Sequence, residues 1–134
     1  MKNDDLLEYL EERLACLDAA EDTVSYIIGV FHLMNTSPDK DLSDVSVVLA
    51  YSDALQSGAF EGFQKVADWC LWASVYVPES LDSPDLIFDI GMKSYDACDR
   101  IVLKTWPCFN ELSLRLPEIV YEARRSVFRS VTTP

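Results

Sequence analysis

Apolar residues recur every three or four positions through almost the whole chain, and this period restricts the fold class more than any other feature of the sequence. It is sharpest after residue 83. At 100° per residue, Ile87, Ile90, Gly91, Ser94, Tyr95, Cys98, Ile101 and Val102 share one arc of roughly 140°, while Asp85, Asp89, Asp96 and Asp99 gather within about 80° on the other side. Ser83, Pro84 and Asp85 open this segment with an N-cap residue, a proline at the first helical position and a carboxylate at the positive dipole end. Such a two-faced segment specifies a helix running to about Lys104, with Gly91 against a neighbouring helix.

The other segments follow the same period. Asp5 to Asp18 carries Leu6, Leu7, Leu10, Leu14 and Leu17, and Asp5 with Glu8 forms a capping-box-like pair. Thr23 to Met34 is apolar on nearly every side, so periodicity alone leaves helix and strand open; its length and helical neighbours favour a helix ending in the loop-forming cluster Asn35 to Pro38. A third helix, capped by Asp41 or Ser43 and stopped by Gly58, should bury Val45, Val48, Leu49, Ser52 and Leu55. A fourth, Phe60 to Tyr76, should bury Phe60, Phe63, Ala67, Cys70, Leu71 and Ser74 and end before Pro78. A last segment from Trp106 to about Ser130 has Pro117 inside it, where a kink or break is expected. The expected architecture is an all-α, single-domain bundle of about six helices over residues 1–131, with a loose tail at 132–134.

Within this frame Asp68, Leu71, Trp72, Pro78, Glu79, Leu81, Ile90, Gly91 and Tyr95 form a pattern in which an Asp-bearing helix with a Leu-aromatic pair enters a Pro-Glu turn, followed by a Gly-x-x-x-Tyr helix. From Val66 to Tyr95 the chain thereby resembles a family of small helical bacterial proteins with no assigned activity. It differs from that pattern in Ala67, where glycine usually precedes the aspartate, and in Ile87-Phe88, where tyrosines are common. The resemblance implies a helical fold and no particular chemistry.

Charge and motifs exclude several functions. The 134 residues carry a formal net charge of -12, distributed as 5 basic and 20 acidic side chains up to residue 99 and 6 and 3 thereafter. Direct nucleic-acid binding is disfavoured by that balance. The longest uncharged stretch, Thr23 to Pro38, is too short and polar to span a membrane. Asp4 and Asp5 stand where a secretory leader needs an apolar run, which points to a cytoplasmic protein. Cys16, Cys70, Cys98 and Cys108 form no C-x-x-C and have no nearby His, as expected of free buried thiols rather than a metal or redox site. No phosphate-binding or nucleophile-elbow motif occurs, so no cofactor is expected. The single His32 lies in the most apolar segment, better suited to a core or edge position than to catalysis.

The remaining candidates are carboxylates and aromatic rings. Asp68 sits on a strongly apolar helix and, if buried, needs a hydrogen-bond partner, for which a Tyr, a Trp or Arg100 is available. Asp68, Glu79, Asp96 and Asp99 are the carboxylates around the Pro78 turn and the helix after it. Trp69, Trp72 and Tyr76 are core residues or the wall of a partner pocket. The stripe of Asp85, Asp89, Asp96 and Asp99, with Asp82 before it, either solvates one face or docks a basic protein partner. Two functional classes follow: a non-enzymatic interaction protein, as a homo-oligomer, adaptor or inhibitor, or a small enzyme or ligand-binding bundle using Asp68, Glu79 or Tyr95 in a pocket.

Overall fold

A computed structural model describes residues 7–8, 10–12, 21–36, 43–102, 121 and 125. These residues form α1 (Glu21–Thr36), α2 (Asp44–Ser57), α3 (Phe60–Tyr76), a 3-10 turn at Pro78–Ser80 and α4 (Pro84–Ile101). Leu7, Glu8, Leu10, Glu11 and Glu12 are also helical, and Leu7 and Leu10 enter the core. No strand occurs among the described residues, so the fold is all-α. None of the helices described is long and apolar enough to cross a membrane. Of the expected last helix only Tyr121 and Arg125 are described, both helical and exposed; Pro117 and the tail at 132–134 lie outside the described residues.

Local chemistry sets the helix ends. The segment that periodicity left open is helical and reaches Thr36, beyond the expected stop. Glu21 and Asp22 occupy its first turn, where the helix dipole favours anions. Ser43 caps α2 by accepting the Ser46 N–H at 3.3 Å, and Gly58 closes it in the left-handed region at φ 67°, donating its N–H to the Ala54 carbonyl at 2.8 Å. Pro84 starts α4 as expected, but the Ser83 hydroxyl makes no capping bond. The backbone N–H of Ser83 donates instead to Asp44 Oδ2 at 2.8 Å, which ties the start of α4 to the start of α2 and explains why Asp44 is buried.

Helix α3 is the centre of the molecule. It packs most extensively on α4, and also on α2 and α1. From Trp69 to Tyr76 every residue is buried, including both tryptophans and the small residues Ala73 and Ser74. Each large apolar side chain removed from water there contributes about 1.5–3 kcal/mol, so α3 supplies much of the core. The ring of Phe31 from α1 meets Tyr76 edge-on at 5.3 Å, and Trp72 stacks on Tyr76 at 6.2 Å.

Helix α2 is rotated half a turn from expectation. Val47 and Ala54 are its buried apolar residues, whereas Val45, Val48, Leu49, Ser52 and Leu55, expected in the core, face outward. Close packing explains the inversion. A methyl group on Gly62 of α3 would lie 3.2 Å from the Ala54 side chain, so the two helices approach through their small residues and the larger ones cannot fit between them.

Gly91 on α4 makes a still closer contact with α3, because a Cβ there would stand 2.8 Å from the Cβ of Cys70. Gly91→Ala is therefore expected to destabilise the fold by about 1–3 kcal/mol despite the better helix propensity of alanine. Gly29 on α1 has no atom within 4 Å of the same position, and Gly29→Ala should stabilise by about 1 kcal/mol. Urea unfolding of both variants checks the pair. A Gly91→Ala protein as stable as the parent would contradict the helix approach.

Candidate functional site

The most elaborate polar arrangement among the described residues surrounds Asp68, the one charged residue on the C-terminal half of α3. Its Oδ1 accepts a hydrogen bond from Tyr26 Oη of α1 at 2.7 Å and a second from Tyr95 Oη of α4 at 2.8 Å. Gln64 lies one turn before Asp68 on the same face of α3, and its Nε2 donates to Tyr26 Oη at 3.1 Å. The two tyrosine rings meet nearly perpendicular, 6.4 Å apart. A polar chain thus joins three helices through one carboxylate oxygen.

Burial raises the Asp68 carboxyl to about pKa 6, while the hydrogen bonds from Tyr26 and Tyr95 hold it down by favouring the charged form. Both phenols are pushed well above their usual range, first by burial and then by the neighbouring carboxylate. They remain protonated donors at every physiological pH. The buried thiols follow the same rule: Cys98 is raised to about 12 and Cys70 further, chiefly by burial, so neither is a thiolate nucleophile near neutral pH. Both are free and buried, as expected; Cys16 and Cys108 lie outside the described residues. His32 faces solvent with Nε2 3.4 Å from Glu11 Oε1, at the edge of the fold rather than in its core.

The residues singled out by sequence do not converge. Asp68 and Tyr95 meet directly. Trp69 and Trp72 are buried, and Trp72 Nε1 donates to Asn35 Oδ1 at 3.0 Å, so these rings belong to the core and not to an exposed aromatic wall. Glu79 is exposed on the 3-10 turn, more than two helical turns, or about 12 Å along the axis, beyond Asp68. Asp96 is exposed and paired with Arg100 at 3.2 Å, and Asp89 pairs with Lys93 at 2.9 Å. Asp99 is only 7% exposed, which removes it from the outward stripe to which its helical angle assigned it.

The acidic stripe is therefore a mixed one. Lys93 and Arg100 each stand four residues after an aspartate, and the Asp89 carboxylate raises the pKa of the Lys93 ammonium by hydrogen bonding and charge. Sequence reasoning passed over Lys93 and offered Arg100 as a partner for Asp68, whereas Arg100 pairs with Asp96 and two tyrosines serve Asp68; the i,i+4 spacing of both cations was legible. It also missed Tyr26 and Gln64. The i,i+4 spacing of Gln64 and Asp68 was available as a signal; nothing local marked Tyr26. Among the described residues no group of three His, Cys, Asp or Glu side chains could hold a metal ion. No family model, curated protein or solved structure matches the chain.

Chemically, this centre holds helices together. Its phenols donate, its carboxylate accepts, and its thiols stay protonated. Because the folded Asp68 binds its proton more tightly than an unfolded aspartate, stability falls as pH rises from about 4, the unfolded value, to about 6, and the full penalty persists above that. Asp68→Asn keeps an acceptor for both tyrosines without the charge. The parent should accordingly lose about 2 kcal/mol relative to Asp68→Asn between pH 4 and pH 7, measured by urea unfolding. Asp68→Ala removes the acceptor to which both hydroxyls donate and should be less stable than the parent by about 1–3 kcal/mol. A parent-minus-Asn difference that stays flat with pH would show that the carboxyl is not raised.

Proposed function

We propose that this chain is a non-enzymatic interaction module whose docking surface is the outward face of α2. One observation carries the reading: Val45, Val48, Leu49 and Leu55 stand 67, 40, 61 and 58% exposed along a single helix. Scattered exposed apolar residues are ordinary, but contiguous ones amounting to a few hundred Å² mark interaction surfaces. The helix is held in this orientation by Asp44, Val47 and Ala54 on its inner side, so the apolar face is a stable feature of the fold. A cytoplasmic location and the resemblance to small helical bacterial proteins belong to the same reading.

An acidic adaptor for a basic partner receives less support, since Asp89 and Asp96 already have cations on their own helix and Asp99 is inside. An enzyme using Asp68, Glu79 or Tyr95 receives less still, because the Asp68 oxygen engaged by both tyrosines is separated from Glu79.

If the face serves docking and not the core, Val45→Ser and Leu49→Ser should each change unfolding stability by less than about 0.5 kcal/mol. Val47→Ser on the inner side should cost about 1–3 kcal/mol by comparison. A photo-crosslinking residue at Leu49 should form covalent protein adducts in cells, and one at exposed Lys93 should not. Stability losses at Val45 and Leu49 as large as that at Val47, or equal crosslinking at both positions, would overturn the reading.

A further inference from the structure

The chemistry of this face bears on what could occupy it. Across the exposed arc the residues are Val45, Val48, Leu49, Ser52, Leu55 and Gln56, none of them charged, with Asp53 at the edge. A basic partner gains nothing from such a surface. A second copy of the chain does, because each copy carries a net charge of -12 and this is a face on which two copies can touch without opposing carboxylates.

The spacing is also self-complementary. Val45, Val48, Ser52 and Leu55 follow a three-four-three pattern, the seam of a two-stranded left-handed helix pair. The pattern is symmetric about residue 50. In an antiparallel pair with a two-fold axis there, Val45 faces Leu55 of the partner and Val48 faces Ser52, so one seam is its own complement. The antiparallel arrangement sets the positive end of each helix dipole beside the negative end of the other. It also offsets the two Asp53 side chains by about 9 Å along the axis.

We infer that two copies of this chain pair antiparallel through the outward face of α2, forming a symmetric homodimer whose axis crosses the seam at the level of residue 50. The inference rests on the reading of α2 as a docking surface. With a few hundred Å² of apolar surface per copy, the pair falls below about 1,200 Å² of total buried area, the range of weak, reversible assemblies.

Sedimentation of the full chain over roughly 1 µM to 1 mM should show a concentration-dependent monomer–dimer equilibrium, in keeping with weak association. Added salt should strengthen it, since screening removes repulsion between the acidic copies while the contact itself is uncharged. Val48→Asp, which places an unpaired carboxylate in each half of the seam, should weaken the dimer at least roughly tenfold. In a Cys16→Ser, Cys108→Ser background, Val48→Cys combined with Ser52→Cys should crosslink two copies on oxidation, and either cysteine alone should do so far less. A chain that stays monomeric throughout, while Leu49 still crosslinks to other proteins, overturns the homodimer and leaves the docking surface standing. A dimer unaffected by Val48→Asp overturns the assignment of the seam. Loss of monomer stability in Val45→Ser and Leu49→Ser, showing the face to be covered by the chain itself, overturns both.

Discussion

The carboxylate of Asp68 fixes how the helices are turned toward one another. On a helix as buried as α3, a charged group without donors would be expelled or would distort the packing. Here two long phenols reach it from separate helices and meet at the same oxygen. That requirement sets the rotation of α1 and of α4 about α3. A second contact sets how closely α4 can lie: Gly91, one turn before Tyr95 on the same face of α4, meets Cys70 of α3, where only a hydrogen fits. The hydroxyl of Tyr95 on Asp68 and the bare backbone of Gly91 on Cys70 thus fix the α3–α4 pair at two points.

Much of the scaffold was legible because it is encoded locally. Ser43, Gly58 and Pro84 mark helix ends through their own backbone preferences, and each stands where those preferences predicted. The face that α2 buries was not legible. Apolar periodicity shows that a helix has two sides without saying which one the neighbours can accommodate, and on α2 the larger apolar residues compete with a closer approach through Ala54 and Gly62. The hydrogen bond from the Ser83 N–H to Asp44 was hidden for a similar reason, since the two residues are 39 positions apart and no local pattern joins them.

The polar centre divides in the same way. Asp68 stands out in the sequence as a charge in an apolar helix, and Tyr95 stands out on the inner arc of α4. Tyr26 carries no such mark, because in the uniformly apolar segment of α1 a phenol resembles any other large core residue until its hydroxyl finds a partner. Counting aspartates on α4 also obscured what their spacing offered, namely that Lys93 and Arg100 stand beside that arc, each four residues after an aspartate, and neutralise two of them. Asp99 shows the limit of helical-wheel reasoning at an edge: its angle borders that of Tyr95, so a small change in what covers that side decides whether it faces water.

The strong negative charge and the uncharged face of α2 act together. At physiological ionic strength charges are screened beyond about 8 Å, so the net charge does little to distant molecules but opposes close contact between two acidic surfaces. Of the many ways in which two such copies can collide, those that press carboxylates together are penalised, and those that meet across Val45, Val48, Leu49 and Leu55 are not. The acidic residues thereby limit indiscriminate association through an apolar patch that would otherwise be an aggregation hazard. Paired aspartates on α4 fit the same role: Lys93 and Arg100 offset two charges locally while the chain as a whole stays far from neutral. In the proposed pairing specificity would arise from where charge is absent, a feature of residue arrangement on α2 that the acidic composition, with its suggestion of a basic partner, does not reveal.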